Sequence, residues 1–166
     1  MRRTAAVVAL VAALSLTGCS TPTGADVTGR EGAAAESPAG PLTPAAAGEQ
    51  FLRIVAPYNG VLEQFETSVN DGAPLAEQTG LAGAVGAALR AESEGLRQTA
   101  WPEDVADDAT ALAEANEQAA SHWEQAASAQ STQEVLDHVD QAMEADAGDA
   151  AASIREKLDL PAYAEE

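Results

Sequence analysis

Apolar residues recur along most of this chain at steps of three and four, and nowhere do they alternate with period two over a useful length. The first pattern belongs to helices with one buried face, and the second would have marked strands. The strongest stripe is Phe51, Ile54, Val55, Tyr58, Val61, Leu62, Phe65 and Val69, entered through Thr43 as N-cap and Pro44 at the first helical position. Pro57 falls inside it, in Pro57-Tyr58-Asn59-Gly60, a string that alone would read as a turn. A turn usually resets the helical phase, yet the stripe passes from Val55 through Tyr58 to Leu62 without slipping. One helix kinked at Pro57, with the carbonyl of Arg53 freed, is therefore expected over a helix–turn–helix.

Three more helices follow. Asn70-Asp71-Gly72-Ala73-Pro74 closes the first and opens a second carrying Leu75, Leu81, Val85, Leu89 and Leu96. Its Gly80, Gly83, Gly86 and Gly95 each lower helix propensity by about 1 kcal/mol against alanine. They either let a neighbouring helix approach closely or leave this the loosest element. Trp101-Pro102-Glu103-Asp104 starts a third helix, its acids set against the positive end of the dipole. Val105, Ala109, Leu112, Asn116, Ala119, Trp123 and Ala126 form its inner stripe.

Ser131-Thr132-Gln133-Glu134 is a capping box for a fourth helix, with Leu136, Val139, Met143, Ala147, Ala150, Ile154 and Leu158 inward. Gly148 weakens its middle, Pro161 ends it, and Arg155 and Lys157 suit its negative pole. The expected fold is all-α, an antiparallel up-down-up-down four-helix bundle over residues 44–160 with a short tail at 161–166. The first helix carries most of the bulk and should be the most buried. The third and fourth lean on alanine and should pack close and flat against it.

Residues 20–43 carry Ser, Thr, Pro, Gly and Ala with scattered charge, and only Val27 and Leu42 could bury much area. Such a segment cannot offset its ordering entropy and reads as a disordered tether, with a root-mean-square span of roughly 25–30 Å. Before it stands Met1-Arg2-Arg3, then a mostly apolar run over 5–16, then the only cysteine, Cys19. A basic start, a short apolar run and small residues before a cut site make an export signal, and the run is too short to span a bilayer. Leu16-Thr17-Gly18-Cys19 resembles the lipobox of bacterial lipoproteins. That resemblance implies diacylglyceryl transfer to the Cys19 thiol, cleavage after Gly18 and acylation of the new amino terminus. The expected organisation is a signal peptide at 1–18, a lipidated Cys19 with tether to 43, and the bundle.

With one cysteine, no intramolecular disulfide can staple the exported domain. Eight Lys and Arg, two of them in the leader, face 27 acids that all lie beyond Cys19, so the exported part carries a side-chain balance of −21. A surface so acidic repels nucleic acid and anionic headgroups and leaves weak divalent-cation binding or a basic partner open. The alanine- and aspartate-rich, lysine-poor composition, the segment 51–59 and Trp101-Pro102 resemble small helical lipoproteins of actinobacteria. The resemblance implies an anchor in the outer leaflet of the cytoplasmic membrane and adds no activity.

Candidate chemistry is sparse. A ferritin-like di-metal site takes a Glu-x-x-His from each of two helices, and neither His122 nor His138 has a Glu three residues before it. Glu117, Glu124 and Glu134 complete the candidates, but most acids fall off the apolar stripes, as on a solvated face, and no metal site is expected. No serine stands in a Gly-x-Ser-x-Gly elbow, and no Gly-rich phosphate loop follows a strand. Enzymatic activity is not expected, nor any cofactor beyond the lipid on Cys19. Tyr58, Asn59 and Asn116 break the apolar pattern. Asn116 could answer the carbonyl freed at Pro57, line a polar pocket, or be an ordinary satisfied core amide. Trp101 and Trp123 read first as packing anchors and secondly as stacking surfaces for a ligand. The leading expectation is a non-enzymatic envelope lipoprotein that docks on another exported or membrane protein, and the alternative is a small-ligand or cation-binding bundle.

Overall fold

Thr43 opens the first helix, its hydroxyl accepting the Ala46 N–H at 3.4 Å, with Pro44 at the first helical position. The helix α1 (Pro44–Asn70) then runs through Pro57 without interruption. Pro57 is exposed, and the phase of the apolar stripe is kept across it. The helix stops at Gly72, whose φ of 67° is the left-handed conformation that glycine adopts without strain. There the Ala73 N–H reaches the Ser68 carbonyl at 2.9 Å and the Gly72 N–H reaches that of Val69 at 3.1 Å. This is the Schellman arrangement, which satisfies carbonyls a helix end would otherwise leave bare.

The computed structural model describes residues 40–145 and 148–161. The expected signal peptide with Gly18, the expected lipid site Cys19, nearly all of the expected tether and the residues after 161 lie outside the described residues. Leu42 does not behave as tether: it packs against the core, and its N–H donates to the Ala100 carbonyl at 2.8 Å.

After α1 come α2 (Leu75–Gln98), α3 (Glu103–Ala126), α4 (Thr132–Met143) and α5 (Gly148–Lys157), with no strand among the described residues. The described part of the chain is all-helical. The fourth helix expected from Ser131 to Leu158 is instead two. Its cap is as expected, with Ser131 Oγ accepting the Glu134 N–H at 3.2 Å, while the Glu134 carboxylate accepts the Gln130 N–H at 2.8 Å. The division falls beside Gly148, where helix propensity is lowest, and has a packing reason. Val135 and Ala142 of α4 belong to one core cluster, whereas Ile154 of α5 and Leu158 just after it belong to another. At the end of α5, Asp159 takes a φ of 54°, and the Leu160 N–H reaches back to the Arg155 carbonyl at 2.8 Å. The Leu160 side chain thereby lies over Gly48 of α1.

The first helix is not the most buried. Six of its 27 residues are buried, against eight of 24 in each of α2 and α3. The alanine-rich α3 packs on α2, α4 and α5, and α1 lies chiefly against α2. Small residues explain the exchange. A Cβ on Gly86 would stand 3.2 Å from that of Trp123, and one on Gly83 would stand 3.4 Å from that of Ala127. These glycines serve close approach of α2 to α3, and Gly95 does the same for Ile54 of α1. On the solvent side Arg90 joins the two helices, at 2.9 Å from Glu117 and 2.6 Å from Glu124. Among the described residues no helix is long and apolar enough to cross a membrane.

The interior falls into two apolar clusters. One is built around Phe51 and Trp101, whose rings meet edge-on at 6.5 Å, with Val105, Leu112 and Ile154. The other is built around Phe65 and Trp123, edge-on at 4.9 Å, with Val85, Leu89 and Val135. Tyr58 stands midway between Phe51 and Phe65 along α1.

Candidate functional site

Between the two clusters each long helix places polar residues on its inner face. On α2, Glu92 and Ser93 lie between Leu89 of one cluster and Leu96 of the other; on α3, Asn116 lies between Ala113 and Ala120. Ser93 Oγ is 3.0 Å from both the Leu89 and the Ala113 carbonyls, which ties α2 to α3 at this level. Asn116 Nδ2 donates to Glu92 Oε1 at 2.9 Å. Asn116 thus answers a carboxyl on α2 and not the carbonyl of Arg53.

Glu92 is only 5% exposed, and its second oxygen, Oε2, is buried with no hydrogen-bond partner. Burial pushes the carboxyl up to about 7, against the opposing pull of the Asn116 hydrogen bond. A carboxyl in that position stands half-ionised near neutrality, with one oxygen unsatisfied.

A cavity of about 270 Å³ opens on this group. Phe51, Val55, Leu62 and Leu112 are the large apolar residues lining it, and Tyr58, Asn59, Glu92, Asn116 and Arg155 are the polar ones. The Arg155 guanidinium lies 5.7 Å from the centre of the Phe51 ring and donates to the Pro161 carbonyl at 2.9 Å. A second cavity of about 290 Å³ shares Tyr58, Asn116 and Gly148 as walls and extends to Trp123 and Met143. A larger groove of about 720 Å³ between α1 and α2, bordered by Glu63, Asp71 and Glu77, brings none of the expected site residues together.

Tyr58, Asn59 and Asn116, singled out from sequence for breaking the stripes, therefore meet on one cavity. Trp101 closes one cluster, its indole N–H donating to the Leu96 carbonyl at 2.7 Å, and Trp123 combines packing on Phe65 with a wall of the second cavity. The metal candidates are not gathered. Glu117 and Glu124 are held by Arg90, Glu117 also by Arg97 at 2.9 Å, and Glu134 is part of a helix cap. His122 and His138 are half-buried, each with an Nδ1 that has no partner. Among the described residues no group of three or more His, Cys, Asp or Glu side chains is placed to hold a metal ion.

Glu92 was missed in the sequence, although a signal for it exists. It falls three residues after Leu89 and four before Leu96, on the apolar stripe itself, where an acid cannot reach solvent. The arrangement is a cavity with large apolar residues on its walls and a buried carboxyl among them, one oxygen of which lacks a hydrogen-bond partner. Neither a protein-family model, nor a characterised protein, nor a solved structure matches this chain, so the site stands on its own geometry.

Proposed function

We propose that this chain is an envelope lipoprotein, held on the extracytoplasmic face of the cell membrane by lipid on Cys19, whose helical domain binds a small ligand and is not an enzyme. The observation that carries the ligand reading is a cavity of about 270 Å³ whose lining includes Glu92, a buried carboxyl with one oxygen unpartnered. Ligand sites are concave, mostly apolar, and orient their contents with a few placed polar groups. The finer topology we propose is antiparallel up-down-up-down for α1 to α4, favoured by the short connections after Asn70, Gln98 and Ala126.

A thermal-shift screen of the intact protein in detergent, against small organic cations, anions and neutral amphiphiles, tests this. The same screen on Ala151→Phe and Leu62→Trp, which fill the cavity from two sides, should lose every stabilising compound. A flat response by the wild-type protein would remove the ligand reading. The anchor and the −21 balance also favour an envelope or membrane protein partner and weak retention of divalent cations. Leu52 and Met143, the large exposed hydrophobics among the described residues, sit on different helices and add little to that docking role. Cross-linking in intact cells that recovers no partner above background would count against it.

A further inference from the structure

We infer that the cavity beside Tyr58 receives a compact ligand with an apolar body and an ammonium head, the head hydrogen-bonding to Glu92. The inference rests on the cavity being a ligand site and specifies what that site takes.

The carboxyl is incomplete in either protonation state. As a carboxylate it accepts from Asn116 at Oε1, and Oε2 lacks a donor. As a neutral acid it would need an acceptor for its own O–H, and Oε2 has no partner of that kind either. An ammonium head supplies the missing donor and the counter-charge together, which offsets the cost of holding a carboxylate away from water. A neutral hydroxyl supplies only the first.

The rest of the chamber restricts the body. Phe51, Val55, Leu62 and Leu112 offer no polar partner, so the part of the ligand that lies against them is hydrocarbon. A volume of about 270 Å³ holds about nine non-hydrogen atoms if each takes roughly the 30 Å³ share of a water. Branched alkylamines and aliphatic amino acids both fit. The two differ at Arg155, the other charged residue on the walls. A zwitterion would turn its carboxylate toward that guanidinium, and a simple amine has nothing to offer it. The acidic surface raises the local concentration of the simple amine, whose net charge is positive, and not of the zwitterion, whose charges cancel.

Isothermal titration of the intact protein with isoamylamine, leucine, isocaproate and isoamyl alcohol separates these cases. Isoamylamine or leucine should bind, and isocaproate and isoamyl alcohol should bind at least about tenfold more weakly. Leucine binding above isoamylamine identifies an amino-acid-like ligand, and the reverse identifies a simple amine. Glu92→Gln removes a buried charge without changing shape, so it should fold. It should weaken the ammonium ligand by about tenfold or more. Affinity should also rise from about pH 5.5 to 8 as the carboxyl ionises. Binding untouched by Glu92→Gln would overturn the inference. Equal binding of isoamyl alcohol, abolished by Ala151→Phe, would overturn the ammonium class and leave the ligand site standing. No heat with any of the four, or binding that survives Ala151→Phe, would overturn both.

Discussion

At Glu92 a single carboxyl links the interior to pH. Its folded value of about 7 lies above the ordinary 4.5, so the folded state holds the proton more tightly than the unfolded chain does. The stability this confers is complete below about pH 4.5 and is lost as the pH rises through about 7, a span worth on the order of 3 kcal/mol. The melting temperature should therefore fall between about pH 5 and 8 at constant ionic strength. Glu92→Gln should be much flatter over the same range and more stable than wild type at its upper end. A variant as pH-sensitive as the parent would show that another group controls the slope. Asn116→Ala tests the same pair from the other side. It leaves both carboxyl oxygens without a donor and should cost about 1–3 kcal/mol in urea unfolding at pH 8, with a smaller loss at pH 5, where the acid is neutral. The sequence marked Asn116 because an amide interrupts a row of apolar positions. It marked Glu92 equally well by spacing, but in a chain with 27 acids one more carboxylate on a helix reads as surface.

At the scale of elements, the glycines of α2 show what a sequence pattern leaves open. Gly80 and Gly86 lie six residues apart in one helix, yet a Cβ on Gly80 would meet nothing within 4 Å, while one on Gly86 would stand 3.2 Å from Trp123 Cβ and 3.4 Å from the Ala120 carbonyl. Gly80→Ala should stabilise the protein by about 1 kcal/mol through helix propensity alone. Gly86→Leu should destabilise it by about 1–3 kcal/mol or more, because the side chain must push α3 away. Equal effects in chemical denaturation would contradict the close α2–α3 approach. The break between α4 and α5 is of the same kind. Gly148 flagged a weak point, but whether the helix bridged it depended on which cluster each half could reach. Pro57 went the other way: it lies on an exposed face, and the unslipped stripe was the better guide than the local turn signal.

For the whole molecule, the division into two clusters bridged by a polar layer predicts an order of local stability. The central pair α2 and α3 holds eight buried residues in each helix, whereas α5 is ten residues long and buries only Ile154. Amide exchange should be slowest in α2 and α3 and fastest in α5, because opening free energy follows local burial. Slow exchange throughout α5 would mean that its hold on Phe51 and Asp108 counts for more than its burial suggests; that hold includes Lys157 at 2.7 Å from Asp108. At the other end of the chain, Cys19→Ala should move the protein out of the membrane fraction, since the proposed lipid would have no thiol to join and the acidic bundle is repelled by anionic headgroups. A variant that still partitioned to the membrane would refute the anchor.

What the sequence determined was periodic or local: helix phase, the caps at Thr43 and Ser131, the turn at Gly72, and the polar interruptions at Tyr58, Asn59 and Asn116. Each depends on residues within a few positions of one another, where spacing and side-chain chemistry suffice. The tertiary structure alone decided that α3 and not α1 is the hub, that Gly86 is a contact and Gly80 is not, and that Tyr58 and Asn116 share a cavity with Glu92. Those outcomes are set by which faces meet across more than twenty residues of chain. The carboxyl at Glu92 takes its raised proton affinity from that meeting, because only burial by all of its neighbours withdraws it from water.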